Sequence, residues 1–267
     1  MKLHSFVRLL ETFAPTALAE PWDNTGLLLE PRRDADIRKV LLTIDLTAAV
    51  AREARAAKVD AVVAYHPPLF HAVKRLTHAN PMQSALLDLA AEGIAVYSPH
   101  TALDAAPGAV YDWLASLAGE GALERIPRLG EDGVLRSGSG RRNMLAEEVP
   151  VTGIVERMAG ALGTDYLRVA LAVGGPMQIR SGAVCAESGA SALRGAEADV
   201  WIRGEMSHHD VLAATAAGVH VILSEHTRTE RGYLPVLKER MESAAGRGLR
   251  VMVSKADRCP MTLVPGR

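Results

Sequence analysis

Short unbroken apolar runs alternate along this chain with stretches whose apolar residues recur every three or four positions. The runs read as buried strands: KVLLTID (39–45), AVVAYH (61–66), IAVYSPH (94–100), YLRVALAV (166–173), RSGAVCAE (180–187), DVWIRG (199–204), VHVILSEH (219–226) and LRVMVSK (249–255). Between them the helical spacing predicts helices over 47–58, begun by Thr47, and over 81–93, with proline near its start and glycine past its end. Further helices are expected over 107–119, 152–162, 207–218 and 229–245. The opening residues MKLHSFVRLLETFAP make an amphipathic helix with charges between its apolar positions. The stretch 120–147, with GEG, LGEDG and SGSGRRN, loses all periodicity and reads as a linker or flexible loop.

This alternation implies an α/β fold with mostly parallel sheets covered by helices on both faces. The break at 120–147 suggests two lobes, and 267 residues suffice for two ordinary domains. Composition narrows the setting. Nearly half the residues are apolar and few are aromatic, which fits a core of Ala, Leu and Val. A formal net charge of −1, with both signs interspersed, gives no global attraction to nucleic acid or anionic membrane. Cys185 and Cys259 form no CxxC, so neither a disulfide framework nor a cysteine-rich zinc site is supported. No apolar stretch is long enough to span a bilayer, and the first helix lacks the unbroken apolar core of a signal peptide. The expectation is a soluble cytoplasmic protein.

In open parallel sheets, ligands bind beyond the carboxyl ends of the strands, and the polar residues here collect at such ends. His66 and His100 each end a run, with Asp104 on the loop that follows His100. His226 ends another run and Glu230 lies one helical turn further on; Glu205, His208 and His209 follow a fourth. No histidine occurs between Thr101 and Ser207, so a histidine-rich site must draw on both ends of the chain. The expected lobes are therefore 1–122 with 220–267, carrying a metal site, and 123–219. Pro67 restricts His66 to an extended backbone and Pro68 stiffens the next step, which would aim the imidazole before a metal arrives.

Each residue also has a plainer reading. A strand-end histidine often caps or fills a core, and H-x-x-x-E describes an acid near a helix start as well as two ligands on one face. Asp45 at the end of TID would serve as an outer carboxylate or as a helix cap, and WDNTG (22–26) as a plain turn or as one lining the cleft. Only the ensemble of imidazoles and carboxylates at matching places favours metal chemistry. The standard phosphate loops GxxxxGK[ST] and GxGxxG are absent, as is the GxSxG nucleophile motif.

Taken together, PWDNTGLLLEP, LLTIDLT, YHPPLF, VYSPHTALDAAPGAVYDWLA, GEMSHHDVLAA and SEHTRTERGYLP resemble the Nif-three-like family, dinuclear-metal proteins also named GTP cyclohydrolase 1 type 2 homologues. The resemblance covers nearly the whole chain. It implies two α/β lobes, a metal site in the cleft between them, and a ring-shaped homo-hexamer. Position by position, it places His66, Asp104, His226 and Glu230 on the family's ligands, with Glu230 at the bridging place. Many bacterial members carry two histidines before the proline; here the first is Tyr65, so one metal loses a nitrogen donor.

The function this implies is a divalent-metal-dependent hydrolase of a nucleotide-like or other small polar substrate. One or two ions of zinc, iron, manganese or nickel suit such mixed nitrogen and oxygen ligands. Beside Glu230, His100 or His209 would move the proton. The alternative is a non-catalytic metal-binding oligomeric scaffold or regulatory interaction protein. The charge argues against nucleic acid as a partner.

Overall fold

The computed structural model describes residues 1–31, 35–129, 135–136, 140–186, 193 and 195–261. They form two compact units, Met1–Ala102 with Leu234–Arg267, and Leu103–Tyr233. The fold is mixed α/β with two main sheets. In chain order the first unit contains α1 (Leu3–Phe13), β1 (Gly26–Leu29), β2 (Lys39–Thr43), α2 (Ala48–Ala56), β3 (Ala61–Ala64), α3 (Pro81–Ala91) and β4 (Ala95–Ser98). After α4 (His100–Ala105), at the passage between units, come α5 (Val110–Ser116), β5 (Gly121–Arg125), β6 (Arg128–Leu129), β7 (Leu135–Arg136) and β8 (Arg141–Pro150). Then follow α6 (Val151–Leu162), β9 (Arg168–Ala170), β10 (Gln178–Cys185), β11 (Val200–Arg203), α7 (His208–Ala216), β12 (His220–Leu223) and α8 (Arg228–Arg231). The chain returns to the first unit with α9 (Leu234–Ala245) and β13 (Arg250–Val253).

The first sheet has the order β1-β4-β3-β2-β13, and all neighbours are parallel except β1 against β4. Strands buried on both faces read as continuous apolar runs rather than alternating ones, and β3 is buried at every position. Leu41, Val62, Ala64 and Val96 pack on one face with Val50 and Ala54 of α2 and Leu86 and Leu89 of α3. Helix α2 starts where expected, with the Thr47 hydroxyl accepting from the Val50 amide at 3.3 Å. Parallel pairing brings the carboxyl ends of β2, β3 and β4 to one edge, so Asp45, His66 and His100 leave the sheet on the same side.

The second sheet runs β5-β8-β10-β11-β12-β9. Its centre, β10-β11-β12, is parallel, while β5, β8 and β9 join it antiparallel. Ile154 and Met158 of α6 and Leu114 of α5 pack on Val184, Val200, Ile202 and Ile222 from one face. Ala214 of α7 packs with Val221 and Leu223 from the other. Strand β12 therefore lies inside the second unit's sheet. No helix among the described residues is long and apolar enough to cross a membrane.

Three local expectations are corrected. The stretch 120–147 is not structureless where it is described: β5 and β8 pair antiparallel, while residues 130–134 and 137–139 lie outside the described residues. Every position of β5 is exposed, so it carries no buried face for a period to reveal. A Cβ at Gly121 would fall 2.2 Å from the Met144 carbonyl oxygen, so only glycine permits that approach. The helix expected over 229–245 is broken between α8 and α9. Pro235 cannot donate to a carbonyl one turn back and is tolerated only in the first turn of α9. Finally, the run at 94–100 ends at Ser98, and His100 opens a helix that also contains Asp104. The end of the 180–187 run, Glu187, lies outside the described residues.

Candidate functional site

In the first unit two imidazoles leave the sheet edge, each held by a carboxylate. The His66 amide donates to the Ile44 carbonyl at 3.0 Å, which keeps the backbone paired with the chain after β2 until Pro67 ends the ladder. His66 Nδ1 then lies 2.9 Å from Asp45 Oδ1. A carboxylate accepts only, so the neutral ring carries its proton on Nδ1, and Nε2 is the nitrogen suited to a cation. Asp45 thus meets the outer-carboxylate expectation. His100 is built the same way, with Nδ1 at 2.7 Å from Asp23 Oδ1.

Asp23 does more than hold a ring. Its second oxygen accepts from the Thr101 amide at 3.1 Å and from the Thr101 hydroxyl. Burial by itself would raise the Asp23 pKa, but the His100 imidazole and the Thr101 donors outweigh it and hold the carboxyl below its usual range. His100 adopts φ 32°, a conformation rare outside glycine, and the paired Asp23 offsets that strain. His66 and His100 meet edge to face, with ring centroids 5.5 Å apart. Tyr65, in the place where a second histidine would stand, is buried and packs edge-on against both, at 5.3 and 5.8 Å.

In the second unit His226 follows β12, and Glu230 sits on α8. One ligand atom of each lies within 4.8 Å of the other. Glu230 is fully buried, and a buried carboxylate requires a compensating charge or donors. His226 Nδ1 is 3.3 Å from Glu205 Oε2, so here too a carboxylate sits behind the ring. The residue before His226, Glu225, has φ 69° and is fixed by Arg168, whose Nε approaches its carboxylate at 3.1 Å. Asp104 is buried on α4. His209 is exposed on the first turn of α7, edge-on to His208 with ring centroids 5.5 Å apart, and makes no described contact with His226 or Glu230.

The structure thus pairs His66 with His100 in one unit, and His226 with Glu230 in the other. The carboxylates behind His100 and His226 were not singled out as their partners. WDNTG was read only as a turn that could line the cleft, and Asp23 of that stretch is the carboxylate behind His100. Imidazole nitrogen and buried carboxylate oxygen at this separation suit a divalent cation of intermediate softness.

A two-sheet α/β protein with imidazoles and carboxylates gathered at strand ends is the class these features define. Residues 1–260 match the family model described as Duf34/NIF3 (NGG1p interacting factor 3), and the chain belongs to that family. It is 42% identical to the Protein NIF3 homolog of Schizosaccharomyces pombe, over 96% of this chain and 95% of the relative. It is 37% identical to NGG1-interacting factor 3 of Saccharomyces cerevisiae, over 98% of this chain and 97% of that one. Among solved structures, reduced HcgD from Methanocaldococcus jannaschii superposes with a TM-score of 0.79 at 26% identity, covering 95% of this chain and 97% of the other. A Bacillus cereus protein related to NIF3 shares the fold, with a TM-score of 0.81 over 99% of both chains at 19% identity.

Proposed function

We propose that His66, His226 and Glu230, with Asp104, hold a divalent cation, and that the protein is a metal-dependent hydrolase of a small polar or nucleotide-like substrate. The observation that carries this reading is the fully buried Glu230 carboxylate within 4.8 Å of a His226 ligand atom. A bound divalent cation would supply Lewis-acid polarisation of the scissile group and a lowered pKa for water. Asp45 keeps the Nδ1 proton of His66 in place and so fixes which nitrogen is a ligand. His100 is the better proton carrier of the two candidates, because Asp23 fixes its tautomer and supports its charged form. His209, exposed and without a carboxylate behind it, has weaker support.

The test is elemental analysis of protein purified without added metal, followed by a screen of phosphate esters and nucleotides. Stoichiometric metal with turnover that Glu230→Gln abolishes is the expected result. Metal without any turnover would favour the second reading, a metal-binding scaffold or regulatory partner. That reading has its own support, since the yeast relative is named for interaction with another protein. A homo-hexamer in the cytoplasm belongs to this proposal on family resemblance alone, and light scattering that returns the mass of one chain would remove the hexamer.

A further inference from the structure

Arg141 and Arg203 are both buried in the second unit, and the fold treats them differently. Arg141 is well supplied: its guanidinium donates to Asp112, to the Gly140 carbonyl at 3.1 Å and to the Ala105 carbonyl at 2.9 Å. Arg203 is 1% exposed, yet its Nε and Nη2 are sealed from water and meet no acceptor among the described residues. Enclosing a charge without a partner is costly, and a guanidinium does not escape the cost by giving up its proton. Burial lowers the pKa of this one, against an opposing pull from Cys185, Asp210 and Tyr111.

The position is one where ligands bind. Arg203 is the last residue of β11, the middle strand of the parallel β10-β11-β12 centre, and open α/β sheets receive ligands beyond such carboxyl ends. Cys185, the last residue of β10, stands opposite it in the ladder, with the Tyr111 hydroxyl 3.8 Å from its Sγ. On the β12 side the Ser224 amide donates to the Arg203 carbonyl at 3.1 Å, and the Ser224 hydroxyl is likewise sealed without a partner. Of the three groups whose charge acts on Arg203, only Asp210 is a carboxylate, and its Oδ2 is taken by the Ser207 hydroxyl at 2.6 Å. Donors are plentiful here, and an acceptor is what is missing.

The two sealed nitrogens have a further property. Nε and Nη2 share the edge of the guanidinium whose N–H bonds run parallel, the edge that meets two oxygens of a carboxylate or phosphate at once. From this we infer that the carboxyl end of β11 is an oxyanion site, in which a carboxylate or phosphoryl group of a small ligand closes on that edge of Arg203. Such a group supplies the missing acceptors and the missing charge together. All the residues involved belong to the second unit, and the inference does not depend on a bound cation or on hydrolysis.

The test is a titration of the full chain with inorganic phosphate, sulfate and acetate, read by calorimetry and by the thermal transition, with chloride at matched ionic strength as control. The edge is enclosed, so entry needs local opening and samples are equilibrated before measurement. At ten times its dissociation constant, a bound oxyanion should raise the transition by roughly 3 °C. Acetate acting as strongly as phosphate identifies a carboxylate ligand, and phosphate and sulfate acting alone identify a phosphoryl one. Arg203→Met should abolish the response and, by removing an unpaired buried charge, leave the transition in chloride unchanged or higher. Arg203→Lys keeps the charge but not the parallel pair of N–H bonds, and should weaken the anion about tenfold. The inference is overturned if Arg203→Met lowers the transition in chloride by several degrees, because a protein group then already pairs with Arg203. It is also overturned if no oxyanion exceeds the chloride control in the tens of millimolar, or if Arg203→Met responds as wild type does. A response that appears only in Asp210→Asn overturns it as well, since Asp210 would then be the partner of Arg203 in the wild-type protein.

Discussion

The two units hold their histidines with the same device but different firmness. In the first unit the carboxylates behind His66 and His100 sit at 2.9 and 2.7 Å, and the side chain of Asp23 has no exposed surface. In the second unit Glu205 stands 3.3 Å from His226, and both side chains are about one-third exposed. A carboxylate inside the protein acts through a lower effective dielectric than one open to water, so Asp23 should control both ring orientation and local stability. Glu205 should control orientation only. Asp45 behind His66 is itself about one-third exposed, so the enclosed support is that of Asp23 behind His100.

That contrast is most directly broken at His226. His226→Ala should reduce cation affinity on the order of a hundredfold or more, while Glu205→Ala, which removes only the group behind the ring, should cost about tenfold. Elemental analysis after dialysis against a weak chelator reads both. Equal losses from the two substitutions would show that cation binding depends on the carboxylate behind His226 as much as on the imidazole itself.

How much of this was legible in the sequence depends on where each residue's partners lie. Strands β2, β3 and β12 were readable because strands buried on both faces are written as unbroken apolar runs. His66, followed by two prolines, announced a fixed direction. By contrast, the pairing of Asp23 with His100 joins residues 77 apart, and nothing in the local pattern around either encodes it. The run at 94–100 was read through His100 because Val96 and Tyr97 are as apolar as any strand residue, and the stop at Ser98 depends on Pro99 and on a positive φ at the next residue. Strand β5 was hidden for a different reason: a strand with no buried position has no periodicity to display. Among the candidate ligands, His226 and Glu230 were readable from their four-residue spacing, although His226 lies in the turn before α8, whereas the burial of Glu230 is a property of the packing alone.

The second way to sharpen the comparison is stability. Asp23→Ala would leave the His100 Nδ1 and both Thr101 donors without their acceptor in a place water does not reach, and the φ of His100 without its support. Losing one buried partner of this kind costs about 1 to 3 kcal/mol, and Asp23→Ala should fall near the upper end, at about 2 kcal/mol or more. Glu205→Ala, at a partly exposed position, should stay within about 0.5 kcal/mol. Urea unfolding midpoints compare the two. If Glu205→Ala is as damaging as Asp23→Ala, the difference in firmness between the two carboxylates is wrong.

The smallest expected effect separates charge from packing in the first unit, at a carboxylate away from the imidazoles. Glu53 on α2 accepts hydrogen bonds from the Ser254 hydroxyl, the Lys255 amide at 2.9 Å and the Ala256 amide at 3.1 Å. It thereby ties the chain after β13 to the helix beside β2. Partial burial would raise its pKa, but the Ser254, Lys255 and Ala256 donors and the Lys255 charge outweigh that and hold it below the ordinary value. A folded-state pKa lowered in this way contributes stability that is fully present above the unfolded value and is lost as pH falls through the folded one. Glu53→Gln keeps the shape and one acceptor but removes the charge, so it should lower stability at pH 7 by about 1 kcal/mol. The gap between wild type and Glu53→Gln should then narrow below about pH 4, where the carboxyl of the unfolded chain takes up a proton before the folded one does. A gap that stays constant down to pH 3 would mean that Glu53 acts through shape alone, and that a carboxylate's charge in this unit matters only where, as at Asp23, it is fully enclosed.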